Sequence, residues 1–332
     1  GRTLEPIRPV RAVQVADIHI LTQAMLNAAP KGHEKVVIFA DSSQDAAFQA
    51  GWIQDHARRI RLRHMMYRII AATQRPLSLG DITDGLMDQF RKEKGLVDML
   101  LPELTGEDAA AIFGHDIMKS TGRALRYMAL REFTAGIRRR ESLESMGLAR
   151  VAYMGLDEKA APVERWASAV GLTPTEATEG IAIILDIWRR GRMLFVPRDP
   201  IFSRFHAKDD EYLQAGLLPL RDFHPEGVLL EAGEQDKYAR SVLARKGMSG
   251  VQALVKKWAP NADNKIAVEM LWNILKDDLK LIVPVTLRSQ KDKPLADVYQ
   301  VDAEKVSITG QWSRVRCTIC QRVMPRPAPN AA

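Results

Sequence analysis

From residue 75 onward the apolar residues recur at intervals of three and four, and helix-capping residues punctuate the runs. This periodicity commits most of the chain to helix. Leu79, Ile82, Leu86 and Phe90 keep that spacing behind Ser78 and Asp81. Residues Arg123 to Arg140 read as a basic helix. In Thr173-Pro174-Thr175-Glu176 a threonine stands at the N-cap, proline takes the first helical position and glutamate completes a capping box. The helix behind it carries Ala177, Ile181, Ile184, Leu185 and Trp188, and is expected to end at Gly191 in a left-handed terminator. Trp188, Met270 and Trp272 fall on helical stripes and are expected in the core. Residues 197–236 are rich in Pro, Gly and Asp, and read as a long connection with short elements.

The last third has a recognisable order. Ser249 caps a helix through Leu254 and Trp258, and Asn264 starts a second one carrying Ile266, Met270, Leu271 and Ile274. An apolar strand follows, from Leu281 through Val285 to Leu287, then a polar turn from Ser289 to Pro294 and a second strand, Val298 to Val301. Two helices and a β-hairpin are the order of a winged helix. Lys291 and Lys293 lie at the tip of the wing, where a phosphate contact is expected, although winged helices also serve purely as packing or protein-interaction units.

One segment near the start breaks the helical pattern. Lys35-Val36-Val37-Ile38-Phe39-Ala40 is short, apolar and rich in β-branched residues, and it does not alternate, so it reads as a buried, parallel strand. A helix should open just past it, with Ser42 or Ser43 as N-cap and Asp45 in its first turn, and run to about Thr73 with a break near Gly51. A strand that ends in small polar residues and opens into a helix presents backbone N–H groups and a positive dipole end, which suits a phosphate. Asp41 and Ser42 can equally be plain helix caps, and the two roles are compatible. The expected fold class is therefore mainly α with a small α/β part.

Composition bounds the rest. The 332 residues suggest two or three domains, and 46% hydrophobic with 27% charged residues excludes a collagen-like or wholly disordered chain. The 48 Lys+Arg against 41 Asp+Glu give a formal charge of +7, which permits a polyanionic partner. Arginine dominates the clusters: Arg58, Arg59, Arg61, Arg63 and Arg68; Arg138, Arg139 and Arg140; Arg189, Arg190 and Arg192. Guanidinium forks match phosphate oxygens bidentately, so three such clusters favour nucleic acid over solvated helix faces. No apolar run approaches the roughly 20 residues of a membrane span, no signal peptide opens the chain, and a cytoplasmic protein without a membrane partner is expected.

The stretch from Val36 to Gly51, VVIFADSSQDAAFQAG, resembles motif IV of the DEAD/DEAH-type helicases of superfamily 2, where an apolar strand of the second RecA-like domain runs into a polar corner and a helix. It departs from that motif at Ala40, before the aspartate, and at Ser43, where arginine is commoner. In such helicases the corner touches the sugar-phosphate backbone, so the resemblance implies Asp41, Ser42, Ser43 and Gln44 as contacts. Arg61 to Arg68 resembles the following helix in one branch of the family. Arg138 to Arg140, Ser142 to Leu148 and Tyr153 to Asp157 resemble its inserted helical region, and the winged helix, Trp312 and the closing cysteines are similar to its C-terminal end. Implied divisions are a partial second RecA-like region with its following helix (1–74), a helical insertion with a winged-helix-like unit (75–196), a connection (197–236), a winged helix (237–310) and a truncated zinc-knuckle tail (311–332).

No G-x-x-x-x-G-K-[ST] occurs, and an arginine-finger motif is absent. Asp209-Asp210-Glu211 follows no apolar strand and reads as a solvated turn rather than an acidic nucleotide box. ATP and Mg are thus expected in other parts of a parent helicase, of which this chain is expected to be a piece. Cys317 and Cys320 have the spacing of half a four-ligand zinc site, with no histidine after them; a redox pair or two free thiols are the other readings. His56 and His64 sit among apolar and arginine residues and are expected to be packed or surface residues. The partner expected is nucleic acid, DNA in the first instance, together with the rest of the helicase. Two other functions fit the residues: a winged-helix DNA-binding module without a motor, and a helical scaffold whose arginines meet an acidic protein.

Overall fold

The computed structural model describes residues 25, 30, 43–93, 95–134, 142–197, 201–205, 225–311, 314–316 and 323–325, through their backbone alone at 43–57, 314–316 and 323–325. The chain divides into two compact units, Gly1–Met65 and Met66–Ala332. The described residues are mainly helical, with a small mixed sheet. The expected strand Val36–Phe39 lies outside the described residues.

Helix α1, Ser43–Ala72, opens where the polar corner predicts and ends one residue before Thr73. It is continuous through Gly51, where a break was expected: one glycine costs a helix only about 1 kcal/mol. In the first unit Leu62 and Met65 of this helix are buried and Arg61 is exposed.

The second unit begins with α1's last turns and a layer of helices. Helix α2, Leu79–Lys92, opens behind Ser78 as expected, and Ser78 and Asp81 form a capping box. Its buried Ile82, Leu86 and Phe90 form the inward face. Helix α3 is Leu96–Leu100, α4 is Ala109–Phe113 and α5 is Ile117–Phe133; α2 and α5 pack together. Gly85 is where α2 meets α1, since an added Cβ would come within 3.0 Å of Ile69. The basic helix expected over Arg123–Arg140 begins earlier, at an Asp116 N-cap, and ends at Phe133 with Thr134 as C-cap. The Thr134 hydroxyl turns back to the carbonyl of Leu130, at 2.7 Å.

Strand β1, Arg150–Tyr153, follows a run of turns at 143–147. Ser142 to Leu148 and Tyr153 to Asp157 were expected by resemblance to belong to a helical region; the first is turns and the second leaves the end of β1 through a turn. Strand β1 is completed by a partner far along the chain, Val306–Thr309. Helices α6, Ala161–Val170, and α7, Pro174–Arg190, follow one another and pack together, the second opened by the predicted Thr173–Glu176 capping box. Gly191 does terminate α7, but at φ −80°; the left-handed residue is the next one, Arg192, at φ 66°.

Five strands form the main sheet: β2 (Leu194–Phe195), β3 (Gly227–Leu229), β4 (Ala239–Ser241), β5 (Ile282–Arg288) and β6 (Pro294–Asp302). Between β4 and β5 come helices α8, Gly250–Trp258, and α9, Asn264–Asn273, whose axis continues as a wider π-turn through Ile274–Asp278. Both helices start where expected, behind Ser249 and at Asn264; Ser249 and Gln252 form a capping box on α8, and Asp263 caps α9. Strand β6 is central. Along one edge β5 pairs with it antiparallel, from Ile282 opposite Val301 to Arg288 opposite Pro294. Its other edge takes β3 antiparallel at Tyr299 and β2 parallel at Val301 and Asp302. Strand β4 runs parallel beside β3. The second strand of the hairpin is longer than expected, starting at Pro294 rather than Val298, since its first residues bond straight across the turn.

The helices are tied together by side chains. The indole N–H of Trp166 on α6 donates to the carbonyl of Ala267 on α9, 2.9 Å away and buried. Gly180 on α7 lets the Trp258 ring of α8 approach to where a Cβ would stand 3.1 Å from it. Trp188 and Trp272 are buried as expected, while Met270 is half-buried. Strand β7, Val306–Thr309, pairs antiparallel with β1 over four residues and exchanges hydrogen bonds with Leu77 through Ile308. Strands β8, Arg314–Arg316, and β9, Val323–Pro325, form a separate antiparallel pair.

Candidate nucleic-acid interface

The β5–β6 hairpin carries a compact basic tip. Val285, Leu287 and Val298 make its buried core, packed by Phe195, Leu229, Tyr238 and Val283 from the neighbouring strands and loop. Alternation places these residues inward and sends Thr286 and Arg288 outward. The tip is fixed by local bonds. The amide of Ser289 donates to the Lys293 carbonyl at 2.8 Å, and that of Asp292 to the Ser289 carbonyl at 3.0 Å. The Lys293 amide donates to the Ser289 hydroxyl at 3.0 Å. Asp292 sits at φ 60°, a conformation that aspartate tolerates better than most residues.

Four cations meet there. Lys291 and Lys293 are exposed at the turn, as the sequence led one to expect. Arg288 closes β5 and donates to the Asp292 carbonyl at 3.0 Å, with its guanidinium 3.5 Å from the Asp292 carboxylate. Arg204 arrives from a distant segment: the Arg288 amide donates to the Ser203 carbonyl and the Phe205 amide to the Arg288 carbonyl, so residues 203–205 run alongside the hairpin. The Arg204 side chain stands 3.8 Å from the same Asp292 carboxylate. That segment is anchored by Gln300, wholly buried, whose amide donates to the carbonyls of Phe202 and Glu226. One carboxylate thus aligns two guanidiniums, and the tip keeps an excess of three positive charges, four cations less one anion.

The helices beneath are less basic. The Asp263 carboxylate accepts from the amides of Lys265 and Ile266, so α9's N-terminus already carries a negative cap. Its exposed face carries Lys265, Ile266 and Asn273, with Glu269 3.8 Å from Lys265. Lys256 and Lys257 occupy the last turn of α8, where they complement the helix dipole.

Other candidate residues fare differently. Ser43 and Gln44 open α1, and Asp41 and Ser42 lie outside the described residues. Arg58, Arg59, Arg61 and Arg63 follow one another on α1, Arg61 exposed and the other three half-buried. His64, on the same helix, is a surface residue. Arg138, Arg139 and Arg140 lie outside the described residues, as do Cys317, Cys320, Trp312 and Asp209–Glu211. Among the described residues no cluster of three or more His, Cys, Asp or Glu side chains is placed to hold a metal ion, and no helix is long and apolar enough to cross a membrane.

The third arginine cluster is a correction. Arg189, counted among the clusters that suit phosphate or a solvated helix face, instead faces the interior and is fully buried. It bonds the Glu144 and Asp186 carboxylates, the Tyr153 hydroxyl and the Phe133 carbonyl. Burial alone would lower its pKa, but the Asp186 and Glu144 charges outweigh that and hold the guanidinium firmly protonated. The Tyr153 phenol is pushed up, first by burial and then by Asp186. Arg190 also pairs with Glu144, at 2.8 Å. Arg204 and Arg288 went unnoticed in sequence: Arg288 was legible as the charged end of an alternating strand, whereas nothing local marks Arg204. Comparison with protein-family models, with curated proteins and with solved structures returns no match for the chain.

Proposed function

We propose that this chain supplies nucleic-acid backbone binding and strand guidance to an ATP-dependent DNA helicase or translocase, with ATP hydrolysis carried by segments other than these residues. The observation that carries the reading is the charged hairpin tip, with Arg204, Arg288, Lys291 and Lys293 gathered around a single aspartate. Guanidinium and ammonium groups on a rigid, protruding element are suited to phosphate oxygens.

Two further features support it. The order of α8, α9, β5 and β6, with β3 antiparallel on the other edge of β6, is that of a winged helix, a fold that many DNA-binding proteins use. The resemblance of residues 36–51 to helicase motif IV supports a RecA-like remnant ahead of it, and α1 begins where that resemblance puts a helix. The zinc knuckle belongs to the same reading and rests on the cysteine spacing alone.

The test is binding of forked and single-stranded DNA by the full chain across a salt series. Phosphate contacts release counterions, so log affinity should fall linearly with log salt, by roughly 0.7 to 0.9 per contact. Absence of binding at low salt would remove the reading.

A further inference from the structure

Resting on the reading above, we propose that the hairpin tip, and not helix α9, is the surface on which nucleic acid sits, so that contact is made to phosphates and is indifferent to base sequence. In a helix-led winged helix the second helix enters a groove with its N-terminal residues against base edges and its flanks against phosphate. Helix α9 is poorly made for that. Its N-terminal amides, the groups that would otherwise attract a phosphate, are taken by the Asp263 carboxylate at 3.0 and 3.1 Å. Along its exposed face the one lysine, Lys265, is offset by Glu269. Asp277 and Asp278 follow in the π-turn against Lys276. With Arg165, which pairs with Asp278 at 2.5 Å, and exposed Lys280, the charges of Asp263, Lys265, Glu269, Lys276, Asp277 and Asp278 sum to zero, four cations and four anions. This face offers a polyanion no net attraction.

The hairpin tip is cationic: Arg204, Arg288, Lys291 and Lys293 against Asp292 leave an excess of three positive charges, and the Asp292 carboxylate lies within 3.8 Å of both guanidiniums. Buried Gln300 and the paired backbone at 203–205 make the arrangement preorganised, so little ordering is needed on contact. The turn residues Ser289, Gln290, Lys291, Asp292 and Lys293 include no aromatic or large apolar side chain that could wedge between bases. The surface is built to hold a backbone. DNA and RNA share that chemistry.

The experiment measures affinity and its salt dependence for the full chain with duplex DNA of two unrelated sequences, single-stranded DNA and single-stranded RNA. Two double variants are compared, Lys291→Ala with Lys293→Ala at the tip and Lys265→Ala with Asn273→Ala on α9. For duplex DNA the tip variant should lose nearly 2 from the log–log salt slope, so that the loss of affinity between about 50 and about 200 mM salt shrinks by about tenfold. Single-stranded DNA and RNA should weaken in parallel, the two duplex sequences should bind alike, and the α9 variant should stay within about twofold of the unaltered chain. If instead the α9 variant weakens binding and the tip variant does not, or if one duplex sequence is strongly preferred, the hairpin proposal fails while nucleic-acid binding stands. Weakening on only one polymer would also overturn a phosphate-only contact. If the unaltered chain binds none of the probes at low salt, the proposal and the function it rests on fall together.

Discussion

The guanidinium of Arg189 donates to both carboxylate oxygens of Glu144, at 2.9 and 3.1 Å, from a fully buried position on α7. The pair joins the end of α7 to the turn that precedes β1, while the same guanidinium reaches the Phe133 carbonyl at the end of α5. Three elements distant in sequence therefore converge on one side chain. Arg189→Met should destabilise the second unit by about 3–5 kcal/mol, because Glu144 and Asp186 lose their buried counter-charge. Glu144→Gln should cost less, since Asp186 still neutralises Arg189 at 2.7 Å. Urea denaturation of the two variants, compared at constant m, checks the order.

Asp81 predicts a pH effect. Hydrogen bonds from Arg75, then from the Ser78 amide and hydroxyl, hold its carboxyl well below the usual carboxylate range. The folded-state pKa is depressed, so this contribution is fully present above the pKa of the unfolded chain and is lost as pH falls through the folded value. Asp81→Asn should lower stability at neutral pH and flatten the decline below about pH 4. Denaturation midpoints across an acid series measure it; an unchanged acid limb would contradict the assignment. The effect should be small, since both side chains are partly exposed and the pair is screened.

Gly227 allows β3 to reach β6. A Cβ at this position would lie 2.2 and 2.5 Å from side-chain atoms of Val298 and 2.9 Å from the Tyr299 carbonyl oxygen. Gly227→Ala should cost about 1–3 kcal/mol through overpacking. Adding Val298→Ala should recover part of that loss rather than add to it, which a double-mutant cycle on thermal or urea unfolding would reveal.

The α7 cap is a local device and should behave as one. Thr173→Ala removes an acceptor from the Glu176 amide and should cost about 1 kcal/mol, whereas Thr173→Ser should cost little. The same measurement at Ser249, which caps α8 through Gln252, should give a similar figure. Chemical denaturation of Thr173→Ala, Thr173→Ser and Ser249→Ala tests both.

What the sequence determined by itself is where helices begin and which way the hairpin strands face. Ser78, Thr173 and Ser249 each meet their partner three residues on, so the information for those starts is contained within one turn. Period-two alternation along β5 likewise assigned Val285 and Leu287 to the inside. Lys291 and Lys293 were legible as tip residues for the same reason, being held between two strands that pair with each other. Only the tertiary structure decided the fate of the arginines. Arg189 and Arg204 look alike in sequence, both basic and near turns, yet one is neutralised in the interior by Glu144 and Asp186, and the other is carried to the hairpin by a backbone pairing with Arg288. The pairing of β1 with β7 was equally out of reach, since Arg150 and Thr309 stand far apart in the chain. A charge near its own counter-charge in sequence declares itself; one whose partner arrives through folding does not, because burial and pairing are properties of the assembled core.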